Sequence, residues 1–301
     1  MKNIFWSIVL LLSLVACQTM TFDEEEINPT EQNGTEQRGT KEMHFHCAGF
    51  KSTYLEETED ATKASSTQEY TDHIILAIYD KDGNQVGNAI KQDKGDPNIT
   101  YGTFSYTLEY GKYTILAIGW NGEQQCLITS LENISFSENW VPQMFICRQN
   151  IVVSESYSNQ RTMTLKRCVA TWVLNCTDKN IPQEASVFKF RFTNAGNTLN
   201  SETLCCPKTQ EFERKVVSEG NLSSPLRITA HCFLPQESGT INVKVSVYDK
   251  SENIIAEREI TDIPMRINCR TISSGNLFPI GEANGNVTFE TEYTEDINHS
   301  F

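Results

Sequence analysis

Leu14-Val15-Ala16-Cys17 places a thiol directly behind a small residue and an apolar run, the arrangement in which a cysteine accepts lipid. The run begins at Ile4 behind Lys2 and includes Phe5, Trp6, Leu10, Leu11 and Leu12. A positive start, an apolar centre and small residues at the cut make a signal peptide. This one has the form of a lipobox, in which Cys17 becomes the lipid-bearing first residue of the mature chain. The run is too short for a spanning helix, which needs roughly 20 apolar residues.

Other reactive side chains form no comparable constellation. The five histidines, His44, His46, His73, His231 and His299, are scattered, and no Ser or Cys sits in a GxSxG nucleophile motif. No pair of carboxylates stands in an apolar setting that would raise a pKa. No enzyme, no catalytic residue and no cofactor is expected. His44, His46 and Cys47 invite a metal reading, but adjacent strand residues point to opposite faces and no fourth ligand is indicated, so no metal site is expected. Asp80-Lys81-Asp82-Gly83-Asn84 starts like a calcium loop, yet its glycine comes too early and no glutamate closes it; a hairpin turn is expected instead. Nine of the ten cysteines remain after Cys17, with no CxxC pair among them. Most are expected as buried thiols, with Cys205-Cys206 the one exposed reactive spot. Trp120, Trp140 and Tyr157 are the aromatic residues that a binding module would use, although Trp120 reads better as core.

The formal charge of −14 excludes nucleic acid, whose phosphates require a basic surface. The chain beyond residue 16 is long enough for two ordinary domains. The expected organisation is a signal peptide over 1–16, an acidic tether over 17–42, an N-terminal β-sandwich over 43–157 and a C-terminal β-sandwich over 158–301. The tether is read from Asp23, Glu24, Glu25, Glu26, Glu31 and Glu36 with little apolar content. Strands are expected at Met43 to Phe50, His73 to Tyr79, Tyr101 to Leu108, Tyr113 to Trp120, Met163 to Asn175, Ser186 to Thr193, Leu226 to Phe233, Thr240 to Tyr248 and Ile254 to Ile260, from alternation of apolar and polar residues. Gly111 is expected to turn at positive φ. Tyr248-Asp249-Lys250 echoes Tyr79-Asp80-Lys81, each after an apolar strand. Many short strands with no sustained helical period make the fold class all-β.

Four stretches carry a family resemblance: the lipobox, IILAIYDKDGNQV from Ile74, GKYTILAIGWN from Gly111, and DIPMRINCRTISSGNLF from Asp262. In this order they resemble the fimbrillin-like proteins and fimbrial anchor lipoproteins of type V pili. The resemblance implies two transthyretin-like sandwiches, a lipid anchor on Cys17 in the outer membrane, and a surface-exposed place in a fimbrium. It implies other pilus subunits as partners, joined by donor-strand exchange; the adhesion ligand is not specified. Shaft members of the family are cut after an arginine in the first long connection, whereas this chain has Lys63-Ala64 there. An anchor or accessory subunit is therefore expected. The alternatives are a shaft or tip fimbrillin cleaved near Lys63, and a surface glycan-binding lipoprotein. Residues 286–301 alternate as a strand, with Val287, Phe289 and Tyr293 on one face, and form either a donor strand or an edge of their own sheet.

Overall fold

The computed structural model describes residues 39–51, 70–218 and 222–278, all within one compact unit. Cys17, Lys63, Ala64, Val287, Phe289 and Tyr293 lie outside the described residues, as do the stretch expected as a signal peptide and most of that expected as a tether. The described chain is all-β, with sixteen strands.

Seven strands form the first sheet. Its order is β3 (Ile90–Asp93), β2 (His73–Asp80), β5 (Gly111–Trp120), β8 (Met144–Val153), β9 (Gln160–Arg167), β1 (Thr40–Lys51) and β4 (Thr103–Glu109). The β8–β9 pairing is confined to Phe145 with Arg167 and Ile146 with Lys166. Beyond that corner the sheet folds over itself. Met43, Phe45, Phe104, Met163 and Leu165 from one layer share a core with Ile74, Leu76, Ile78, Ile115 and Phe145 from the other. Gln92 stitches the two ends of the sheet order together: its side chain in β3 donates to the Thr103 carbonyl and accepts from the Gly102 amide, both at 2.7 Å.

The second group is two sheets with a core between them. One has the order β13 (Leu226–Cys232), β10 (Ala170–Cys176), β16 (Arg270–Gly275); the other has β12 (Phe212–Val217), β11 (Val187–Thr193), β14 (Ser238–Tyr248), β15 (Ile254–Arg266). Trp172 and Leu174 pack onto Phe188, Phe190, Phe192, Val243 and Val245. Trp172 meets Phe190 and Phe192 edge-on, with ring centres 5.9 and 6.1 Å apart, a favoured aromatic geometry. Its indole N–H is satisfied by Ser273 at 2.9 Å. Pro264 falls in β15, an edge strand of the sheet, where a missing N–H is tolerated.

A third apolar cluster joins the two groups. Ala77, Tyr79, Leu116, Ile118 and Trp120 of β2 and β5 pack with Ile134 and Phe136 of the hairpin β6 (Cys126–Ser130) and β7 (Asn133–Phe136), and with Val169, Leu199, Leu204 and Phe233. Both faces of β2 and β5 are thereby buried. That is why ILAIYD and ILAIGW read as nearly unbroken apolar runs rather than as alternation.

Three expectations shift. Met163 to Asn175 is two strands, not one: β9 stays with the first sheet, β10 starts the second group, and the passage between them falls at Cys168-Val169. The polar run at 154–159 is a turn between β8 and β9 of the first sheet. The tether expected to run to residue 42 ends sooner, since β1 starts at Thr40 and the Lys41 ammonium donates to the carbonyls of Ser154, Glu155 and Tyr157. Gly111 opens β5 in register with Val153 rather than turning at positive φ. The left-handed glycine that supports the sheet is Gly102, at φ 83°.

Candidate functional site: a first strand and an arginine-lined cleft

β1 lies inside the first sheet, antiparallel to β4 and parallel to β9. Its inward side chains Met43, Phe45 and Cys47 are fully buried. The outward histidines bond across to β4, His44 to Ser105 Oγ at 2.8 Å and His46 to Thr103 Oγ1 at 3.3 Å. Cys47 therefore faces away from both. Among the described residues no group of three or more His, Cys, Asp or Glu is placed to hold a metal ion.

The two Tyr-Asp-Lys turns have one construction. Asp80 Oδ1 accepts the amides of Asp82 and Asn84 at 2.9 and 2.8 Å; Asp249 Oδ1 accepts those of Ser251 and Asn253, both at 2.8 Å. In each, the second carboxylate oxygen takes the side-chain amide of the same asparagine. Hydrogen bonds from Asn84 and Asn253 lead in holding these carboxyls below the ordinary aspartate range. The oxygens are occupied by N–H donors, which agrees with turns rather than cation loops.

No disulfide joins the nine cysteines among the described residues. Cys205-Cys206 is not the reactive pair expected from sequence: burial raises both pKa values, that of Cys206 to about 11, so neither holds a ready thiolate.

The aromatic candidates separate. Trp120 is fully buried core, its N–H on the Gln124 carbonyl at 2.8 Å. Tyr157 has the Arg161 guanidinium 4.2 Å above its ring. Trp140 stands at the rim of a cleft of about 580 Å³. The floor of this cleft is the outer face of the β13-β10-β16 sheet, and strand register sets its rows. His231, Thr171 and Arg270 lie across one row, Thr229, Val173 and Ile272 across the next, and Arg227, Asn175 and Ser274 across the third. The alternate residues Trp172, Leu174, Ala230 and Cys232 turn into the core.

One wall is the segment before β8. Val141 bridges to His231 and is buried, which leaves Trp140 and Pro142 on the cleft side with Asn121, Gly122 and Gln143. Arg214, from β12, forms another wall. Its guanidinium lies 4.7 Å from the Trp140 ring centre and donates to the Thr229 carbonyl. The indole N–H of Trp140 is held by Glu138 at 2.5 Å. Arg167 completes the basic lining. Burial, with Arg214 and Arg167 nearby, pushes the His231 pKa down to about 3, so the ring is neutral at pH 7; its Nδ1 is 3.1 Å from Thr171 Oγ1. Sequence reasoning missed these arginines, although Arg227, Thr229 and His231 stand out as the polar alternation of β13.

The model of a family of unknown function, DUF6562, matches residues 48–300. No curated protein matches the chain. Among solved structures it is similar to a candidate adhesin of Bacteroides ovatus, at 13% identity over 80% of this chain and 93% of that one, with a TM-score of 0.47. It is also similar to a fimbrial assembly protein of Parabacteroides distasonis, at 13% identity over 79% and 92%, TM-score 0.40. The fimbrial anchor protein Mfa2 of Porphyromonas gingivalis matches at 15% identity over 78% and 91%, TM-score 0.41. Likeness at this level carries no functional argument.

Proposed function

The chain belongs to the DUF6562 family, and from that premise we propose that it is a lipid-anchored structural subunit of a surface fimbrium, in the anchor or accessory role. Cys17 holds it to the outer membrane, and β1 stays in its own sheet. The observation that carries this reading is the seat of β1. It is an interior strand of the sheet, and Lys63-Ala64 follow it in the sequence, ahead of β2.

Loss of β1 would expose the paired edges of β4 and β9 and the pockets filled by Met43, Phe45 and Cys47. Such a groove is satisfied only by another strand, which is how a donated strand joins two subunits. A chain that keeps β1 fills its own groove and accepts no donor there, as suits the subunit at the membrane. The lysine in place of arginine in the connection favours the uncut form. The tail, with Val287, Phe289 and Tyr293 on one face, serves as an edge of its own sheet in this role.

The test is removal of the gene from cells that display the fimbrium. Pili recovered from the medium instead of from washed cells support the anchor role. Pili that remain attached in normal number overturn it.

A further inference from the structure

We propose that the arginine-lined cleft is a binding site for an acidic saccharide, a short oligosaccharide carrying uronate carboxylates. The proposal is independent of the fimbrial reading, since it rests on the outer face of one sheet and not on β1, the lipid or the tail.

Four arginines, Arg167, Arg214, Arg227 and Arg270, line one cleft. Positive charge gathered in a cleft focuses the field there, so an incoming anion is drawn to it. Two of these arginines are held by neutral oxygens. Arg214 donates to the Thr229 carbonyl, and Arg227 Nε donates to Asn175 Oδ1 at 3.2 Å. Positioned guanidinium forks are suited to carboxylates, which they bind through two parallel N–H bonds.

The rest of the lining selects among anions. A volume of about 580 Å³ is that of a small-molecule site and exceeds what a lone inorganic ion needs. Asn121, Gln143 and Thr229 supply amides and a hydroxyl for sugar hydroxyl groups. Trp140 supplies an aromatic wall, fixed by Glu138 and Arg214, against which the C–H face of a pyranose can lie. An acidic peptide fits less well, because strand addition needs an open sheet edge. Here the β13 edge beside the cleft is engaged by Val141 at His231 and by Arg214 at Thr229.

The experiment is calorimetric titration of the full chain in detergent with digalacturonate, its neutral counterpart digalactose, and tetraglutamate. The double variant Arg227→Gln, Arg270→Gln is measured alongside; both side chains are exposed, and an unchanged melting curve establishes that it folds. Saturable binding of digalacturonate is expected, with affinity at least about tenfold above that of digalactose and tetraglutamate, and about tenfold weaker in the double variant. Absence of saturable binding at millimolar digalacturonate overturns the proposal. So does equal affinity for digalactose or tetraglutamate, or an affinity that the double variant leaves unchanged.

Discussion

His231 couples the cleft to pH. In the unfolded chain an imidazole titrates near its ordinary value of 6.5, whereas in the fold burial and the facing guanidinium groups of Arg214 and Arg167 hold it near 3. Below pH 6.5 the unfolded chain takes up a proton that the native ring declines, so this contribution to stability is complete above 6.5 and is lost as pH falls toward 3. Between pH 7 and pH 5 the loss is expected to reach about 1 to 2 kcal/mol. His231→Gln should flatten denaturant-derived stability across that window; an equally steep pH dependence in the variant would show that another group is responsible. Gly102 is the second residue whose identity the fold demands. It sits at φ 83°, a Cβ there would come within 3.3 Å of the Cys47 carbonyl, and its own carbonyl accepts the Cys47 amide at 2.7 Å. Gly102→Val should cost about 1 to 3 kcal/mol through strain and the loosened hold on β1. A melting temperature equal to wild type would contradict that geometry. The sequence points to Gly111 instead, because Tyr-Gly-Lys looks like a turn; Gly102 hides in a Tyr-Gly-Thr whose close neighbour, Cys47, is distant in sequence.

At the scale of elements, alternation is legible wherever one face meets the core and the other meets solvent. β1, β4, β11 and β14 are of this kind, and the reading of Met43, Phe45 and Cys47 as one inward face agrees with their burial. Alternation fails as a guide to boundaries when consecutive strands serve different sheets. Met163 to Asn175 keeps its period through Cys168-Val169, both buried, while the chain leaves one sheet for another. β8 does not stand out in the sequence, since MFIC buries both faces and QN interrupts the run. The cleft shows a further limit. Each of β10, β13 and β16 reveals a polar face, but only long-range register sets Arg227, Asn175 and Ser274 side by side. For β1 itself, Phe45→Ala removes a fully buried ring from a strand held on both sides. A loss of about 3 to 5 kcal/mol is expected by chemical denaturation. A change below about 1 kcal/mol would mean that β1 is not an integral strand of the sheet in solution.

At the scale of the molecule, two layered β groups meet through the cluster around Trp120, Ile134 and Phe233, which gives the inter-group contact an apolar interior of its own. Coupling of this kind predicts that the described unit unfolds without a long-lived half-folded species. The C-terminal tail tests how far self-completion extends. Truncation after Gly285 should lower the melting temperature of the isolated monomer, as expected for an edge of its own sheet. An unchanged monomer melt with lost subunit assembly would make the tail a donor strand instead. The proposed fimbrial role turns on whether the native chain retains β1 together with a lipid on Cys17. Intact mass spectrometry of the protein extracted from washed cells measures this directly. The account predicts a lipidated species that begins at Cys17 and contains β1, whereas an unlipidated species beginning near Ala64 would contradict it.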